Sequence, residues 1–336
     1  MKQVLVTGGA GFIGSHLTET LLARGDRVIV VDDESTGRYA NLAAVHQHPQ
    51  LEYIRGDIGD PELVARVTAQ VEEVYHLAAA VGVALIARQP METIERNIHP
   101  TELLLAAMID RWGRGERVKF FLASTSEVYG KNPKPVWTED EDLVFGATTK
   151  ARWSYGASKA IDEFLALACW REYKMPVIIG RFFNVVGPRQ SGAYGMVLPR
   201  FVEAALAGRP LIVHDDGHQV RCFAHVSDVL ACVLELMNTQ AALGRVFNIG
   251  SDHPVSILEL AQHVVRLAGS RSPIRFQSYA DAYDEDFEDV RRRVPDLSRL
   301  HRTIQHRNRY DLEAVVRAVI AHQSEAVASR GAGGDT

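Results

Sequence analysis

Thr7-Gly8-Gly9-Ala10-Gly11-Phe12-Ile13-Gly14 stands between a short apolar run, Val4-Leu5-Val6, and a stretch from Ile13 to Ala23 whose apolar residues recur at helical spacing. Strand, glycine-rich turn and helix in that order leave few folds open. Gly8 and Gly11 let the backbone turn tightly and approach a pyrophosphate. Gly14 lets helix and strand pack closely, and the helix N-terminus at Phe12 and Ile13 offers unpaired N–H groups to phosphate oxygens. Glycine-rich turns are common, so the weight comes from the second strand. That β-branched run, Val28 to Val31, ends in Asp32-Asp33, about 20 residues on, where a carboxylate can accept from the hydroxyls of an adenosine ribose. The same carboxylate repels a 2′-phosphate, which favours NAD over NADP. Gly56-Asp57-Ile58, after a third strand, lies where an adenine pocket forms, and the small residues of His76-Leu77-Ala78-Ala79 suit a backbone passing close to a dinucleotide.

Glu73 to Leu77, Lys119 to Leu122 and Pro176 to Gly180 repeat the apolar run after intervening helical stretches, the last of them after a helix from Ser158 to Glu172. Strands alternating with helices predict α/β architecture: a Rossmann-type, doubly wound parallel sheet over residues 1–188, with a strand near 224–250 returning to it. After Gly187-Pro188-Arg189 the texture changes to Gly, Pro and polar punctuation. A helix over Val197 to Ala207, strands at Leu211 to Val213 and Val246 to Ile249, and a helix over Ser256 to Leu267 with a Ser256/Glu259 capping box come next. Residues 189–323 are read mainly as a smaller, C-terminal, substrate-binding α/β lobe. Asp281 to Asp289 is acidic and breaks into Arg291-Arg292-Arg293, and residues 324–336 are expected to form a disordered tail.

With 46% hydrophobic and 24% charged residues the chain is too apolar for a disordered protein. Its net charge of -5, with both signs interspersed, gives no basic stripe for a nucleic-acid backbone. Cys169, Cys222 and Cys232 have no C-x-x-C spacing, which argues against a disulfide framework and a zinc site. No metal is expected. The chain enters a strand directly after Met1 and contains no apolar run of the ~18 residues a membrane helix needs, so a cytoplasmic location without membrane partners is expected.

The motifs resemble the extended short-chain dehydrogenase/reductase family, the NAD-dependent nucleotide-sugar epimerases, dehydratases and decarboxylases. The resemblance covers nearly the whole chain. It rests on the glycine turn, His76 to Ala79, Asn97, Ser124-Thr125-Ser126-Glu127-Val128-Tyr129-Gly130, Tyr155-Gly156-Ala157-Ser158-Lys159, Arg181 to Arg189, and Arg221-Cys222-Phe223 before Val226-Ser227-Asp228. Tyr155 and Lys159 are four residues apart, so they share a helix face and an ammonium can sit near a phenol. A free phenol titrates near ~10, too high for a base at neutral pH, and a neighbouring cation plus the nicotinamide charge lowers it. The resemblance implies that Tyr155 takes the proton of a substrate hydroxyl while hydride passes to NAD, that Lys159 also holds the nicotinamide ribose, and that Thr125 orients the hydroxyl. It adds Asn97 to the cofactor residues. On the substrate side it implies Asn184 at the diphosphate, the Leu198-Pro199 backbone at the base, and Arg221 at phosphate or ribose, with Arg189 in the same set and a UDP-sugar as substrate. Relatives commonly pair through two helices, here Pro100 to Asp110 and Lys159 to Glu172, so a homodimer is expected.

Ser126 and Glu127 narrow the reaction. Simple 4-epimerases of the family carry small or hydroxyl residues in both positions, whereas Thr-Ser-Glu resembles UDP-glucuronate decarboxylases, UDP-apiose/xylose synthase and GDP-mannose dehydratases. Phe145 to Tyr155, with Lys150-Ala151-Arg152-Trp153-Ser154-Tyr155, resembles the pre-tyrosine loop of the lipid A aminoarabinose-pathway decarboxylase and of UDP-apiose/xylose synthase. Asp289 to Asp296 resembles the segment in which decarboxylases place a catalytic arginine, here Arg293. The chemistry is coherent: oxidation at C4 makes a β-keto acid of glucuronate, Glu127 and Ser126 flank the carboxylate, and Arg293 assists protonation of the enolate. The product is UDP-xylose or a UDP-4-keto-pentose, depending on whether the reduced cofactor is reoxidised in place. The alternatives are a UDP-sugar 4-epimerase, which Gly195 to Pro199 resembles, a 4,6-dehydratase, and a non-catalytic NAD-binding scaffold.

Overall fold

The computed structural model describes residues 1–80, 89–192, 196–282 and 288–332. Gly195, part of the stretch read as epimerase-like, residues 283–287 of the acidic segment, and 333–336 lie outside the described residues.

The first lobe contains β1 (Gln3–Thr7), α1 (Phe12–Ala23), β2 (Arg27–Asp32), β3 (Leu51–Arg55), α2 (Pro61–Thr68), β4 (Glu73–His76), α3 (Pro90–Gly113), β5 (Lys119–Thr125), α4 (Ser154–Tyr173) and β6 (Val177–Phe182). Next come β7 (Val185–Val186), α5 (Val197–Leu206), β8 (Leu211–His214), β9 (Val220–Cys222), β10 (Ala224–His225), α6 (Val226–Met237), β11 (Arg245–Ile249), β12 (Pro254–Ser256), α7 (Ile257–Leu267) and β13 (Ile274–Gln277). The short helices α8 (Tyr279–Ala282) and α9 (Ser298–Thr303) precede α10 (Leu312–Ala332).

Seven strands form one parallel sheet in the order β11-β6-β5-β4-β1-β2-β3. Val4, Leu5 and Val6 of β1 are wholly buried because helices cover both sheet faces, which is why the central strands read as unbroken apolar runs. At the edge, β3 is only half-buried. The strand order reverses between β1 and β4, and α/β sheets bind ligands outside the C-terminal ends of the strands at such a reversal. Thr7, Asp32, His76 and Thr125 are the last residues of β1, β2, β4 and β5.

The helix expected from Ser158 starts at Ser154, which places Tyr155 in its first turn. Likewise α3 begins ten residues ahead of Pro100 and carries that proline inside it. The Ser256/Glu259 capping box is present in full. Beyond β6, parallel pair β8/β13 and antiparallel pair β9/β12 join α5, α7 and α10 around a separate core that includes Leu198, Phe201, Leu211, Leu260, Val315 and Val316. The expected disordered tail needs correction: α10 continues to Ala332, so residues 324–332 are helical.

Candidate active site

The glycine turn is built as a cradle. Gly8 has φ +70°, and a Cβ there would lie 2.9 Å from the amide nitrogen of Ala78. A Cβ on Gly14 would lie 2.1 Å from the carbonyl oxygen of Gly8, and one on Gly11 3.0 Å from the same atom. The N-cap of α1 is Gly11, which supplies no side-chain acceptor for the first-turn N–H groups, so they are left for phosphate oxygens. Residues with these restrictions fit a dinucleotide. Leu77, Ala78 and Ala79 are held alongside through Thr7, whose hydroxyl lies 2.7 Å from Nδ1 of His76 and accepts from the Ala78 N–H at 3.2 Å. Phe12 and Ile13 pack against the core and contribute their backbone to the turn.

Several expected cofactor residues have structural duties. Asp32 accepts from the amides of Ala10 at 2.9 Å and Glu34 at 2.8 Å, so it ties the β2 end to the glycine turn, and burial pushes its carboxyl up. Asp33 is half-buried, accepting from the Ser35 amide at 2.8 Å and pairing with Arg96 at 3.2 Å. Asp57 is an exposed turn former that accepts from Gly59, while the Ile58 side chain belongs to the core. Asn97 is a strut: its Oδ1 accepts from the Ala80 amide at 2.8 Å and its Nδ2 donates to Ser158 Oγ at 3.1 Å.

Thr125, Tyr155 and Glu127 are brought together where β5 ends against the start of α4. Thr125 stands close enough to the Tyr155 phenol to favour its ionised form, and its hydroxyl accepts from the Glu127 amide at 3.2 Å. Ser126 is buried beside them. Burial, then the charges of Glu127 and Asp162, push the Tyr155 phenol above its ordinary range, against the influence of Thr125. Lys159 is engaged elsewhere: its Nζ donates to Asp162 Oδ2 at 2.7 Å, with both side chains almost wholly buried.

Next to the phenol runs a row of alternating charge. Nη1 of Arg152 lies 2.9 Å from Oε2 of Glu127, and Arg293 bonds the other oxygen, Oε1. Nη2 of Arg293 is 4.0 Å from Oδ1 of Asp289, and Nη2 of Arg221 donates to both oxygens of Asp289 at 3.0 and 3.2 Å. Burial alone would raise the Glu127 carboxyl, but Arg293 and Arg152 outweigh it and hold it down at about 2. Burial and the nearby Arg293 bring Arg221 down to about 10 against the pull of Asp289. Three guanidinium groups and two carboxylates thus alternate along the row, in a place where fixed charges act strongly on an anion brought among them. Nε of Arg293 is buried without a hydrogen-bond partner among the described residues.

Arg291 and Arg292 serve the surface instead, on Asp216 and on the Pro135 carbonyl. Of the expected substrate residues, Asn184 has φ +34° and donates to the Cys222 carbonyl at 3.1 Å, and Arg221 stays on Asp289. Arg189 reaches back to α1, pairing with Glu19 at 2.6 Å and Ser15 at 3.2 Å. Leu198 and Pro199 are buried in the second lobe, and the Pro199 carbonyl accepts from Gln323 at 3.1 Å. Sequence reasoning missed Arg152, Asp162 and Asp289. The spacing of Asp162 three residues after Lys159 was the available signal, since such residues meet on a helix.

A dinucleotide cradle opening onto a Thr–Tyr–Lys set beside an ion-pair row defines an NAD-dependent enzyme of nucleotide sugars. The family model described as GDP-mannose 4,6 dehydratase matches residues 5–319, and the chain belongs to that family. Among its relatives is a UDP-N-acetyl-alpha-D-glucosaminuronate decarboxylase of Bacillus cytotoxicus, 39% identical over 90% of this chain and 92% of that protein. UDP-glucuronic acid decarboxylase 1 of Arabidopsis thaliana is 34% identical over 88% of this chain, which spans only 64% of the plant protein's length. The dTDP-glucose 4,6-dehydratase DesIV of Streptomyces venezuelae, solved with NAD bound, superposes with a TM-score of 0.86 at 29% identity over 97% of this chain and 98% of that one.

Proposed function

We propose that this protein decarboxylates a UDP-hexuronate through oxidation at C4, with UDP-glucuronate and its N-acetylglucosamine counterpart as the substrates to test. The observation that carries the reading is the pair of arginines on Glu127, Arg152 at 2.9 Å and Arg293 bonded opposite. A glutamate kept ionised between two arginines holds those cations where a sugar that brings its own carboxylate can use them, and a neutral hexose gains nothing from it. The decarboxylase names borne by two of the relatives point the same way.

In this reading Thr125 Oγ1 orients the C4 hydroxyl and Tyr155 Oη takes its proton. NAD, held by the Gly8-to-Gly14 turn and Lys159, supplies the hydride acceptor and a ring cation that favours the phenolate. The C4 ketone then makes the C5–C6 bond labile: the carboxylate leaves as carbon dioxide, and its electron pair passes to the C4 oxygen. Arg293 and Arg152 stabilise the enolate as fixed cations. Burial opposes the charge of Arg293, but Glu127 and Asp289 outweigh it and raise its guanidinium further, so Arg293 acts through charge and not by giving up a proton. Glu127, kept ionised, sets where those cations stand. Arg221 takes the diphosphate.

The deciding experiment incubates the purified protein with NAD and, separately, UDP-glucuronate, UDP-N-acetylglucosaminuronate and UDP-glucose, and reads the product mass. Loss of carbon dioxide from either acid is expected. An acid returned at unchanged mass as its C4 epimer would replace this reading with a 4-epimerase. A homodimer is proposed through α3 and α4, where Ile161 and Phe164 are 44% and 67% exposed, and light scattering at micromolar protein tests it. Cytoplasmic residence is proposed on the three buried, unpaired thiols.

A further inference from the structure

Asp289 stands between two arginines that belong to opposite ends of the site. Arg221 rests on its two oxygens at 3.0 and 3.2 Å, while Arg293 lies 4.0 Å away with its other terminal nitrogen on Glu127. The backbone around this junction is fixed. The Val220 amide donates to the Arg291 carbonyl at 2.8 Å, and the Arg293 amide returns the bond to Val220 at 3.1 Å. Asp289 itself is steadied by the Tyr279 hydroxyl at 2.6 Å and by the Val290 amide at 2.8 Å. Upstream, Glu288 accepts from the Trp153 indole at 3.0 Å and its carbonyl accepts from Arg152 at 3.0 Å. With the main chain pinned, the side chains can exchange partners by rotamer changes alone.

Such an exchange is favoured because Arg221 and Arg293 are buried and the two carboxylates are largely covered. In a poorly screened interior a carboxylate that loses its cation is drawn to the next one within reach. For Asp289 the next is Arg293, already at ion-pair distance and carrying a buried Nε with no partner among the described residues. Building on the proposed reaction, we propose that Asp289 is a positioning residue that couples nucleotide binding to the acid–base end of the site. When a nucleoside diphosphate takes Arg221, Asp289 turns its charge to Arg293, and the grip of Arg293 on Glu127 loosens. The arginine beside the sugar carboxylate is thereby released only after the nucleotide is seated.

The test uses UDP as the ligand and the NAD-loaded full chain, so it needs no turnover. UDP affinity is measured by calorimetry in the wild type, Glu127→Gln, Asp289→Asn and the double variant, with melting curves to verify folding. Glu127→Gln frees Arg293 for Asp289 and leaves Arg221 to the diphosphate, so it should tighten UDP binding about fivefold or more, and the gain should shrink below about twofold in the Asp289→Asn background. An equal gain in both backgrounds overturns the coupling. Should Asp289→Asn not fold, the Glu127→Gln protein is titrated with UDP and with uridine. Tightening confined to UDP supports the relay, and an equal change for uridine, which offers Arg221 no diphosphate, sinks it. A wild type that releases no carbon dioxide from any UDP-hexuronate would end the functional reading and leave this cycle interpretable.

Discussion

The ammonium of Lys159 sits 2.7 Å from Oδ2 of Asp162, less than one helical turn further along α4. The cation expected to hold the Tyr155 phenol in its ionised form is thus already neutralised by an anion that, with burial and Glu127, drives the phenol upward. Removing the Asp162 charge should therefore make the base available at lower pH. In Asp162→Asn the acid limb of the pH profile of kcat/KM is expected to move to lower pH. An unmoved limb would mean that Asp162 has no electrostatic hold on the phenol.

Replacing the phenol tests the base directly. Tyr155→Phe keeps the ring and removes the proton acceptor, so C4 oxidation should fall by about 10²–10⁴-fold, the usual range for a general base. Affinity for UDP should change little, because Arg221 and Asp289 are untouched. A variant that turns over at near-normal rate would place the base elsewhere.

Much of this was legible in the sequence, for reasons particular residues make plain. The strand–turn–helix at Val4 to Ala23 could be read because close backbone approach at Gly8 and Gly14 admits no side chain, and burial on both faces keeps β1 apolar. Arg293 could be separated from Arg291 and Arg292 only by resemblance, since three adjacent arginines look alike until the chain buries one and leaves two at the surface. Arg152 and Asp289 could not be read as partners. They lie 137 positions apart and are joined through Glu127 and Arg293. The extra length of α10 escaped because Ala, Gly and Ser are read as tail composition, although alanine favours helix more than any other residue.

Gly14 offers a test of the cradle. A Cβ there would press to 2.1 Å on the Gly8 carbonyl oxygen and 2.7 Å on the Gly9 Cα, both backbone atoms with little room to yield. Gly14→Ala should cost about 1–3 kcal/mol of stability as an overpacked contact. It should also abolish the rise in melting temperature that NAD gives the wild type. A full NAD-dependent rise in the variant would place the dinucleotide away from this turn.

Stability should fall in acid from pH values well above those at which carboxylates titrate. His76 is buried between Thr7 at 2.7 Å and Thr101 at 3.2 Å; burial first, and then the charge of Lys159, bring its imidazole down to about 3. The unfolded chain has an ordinary histidine near ~6.5. Because the folded value is the depressed one, the unfolded state binds the proton first. The neutral ring's contribution is whole above about pH 6.5, and it is lost at up to ~1.4 kcal/mol per pH unit as pH falls toward the folded value. Glu127, held at about 2 against burial by Arg293 and Arg152, adds a second loss that begins only below about pH 4.5, near where an unfolded glutamate titrates. Urea midpoints at pH 7.5, 6, 5 and 4 separate the two. His76→Gln should flatten the decline between pH 6.5 and 5 and spare the steeper loss beneath it, and an unchanged slope in that upper interval would mean that the imidazole is protonated within the fold.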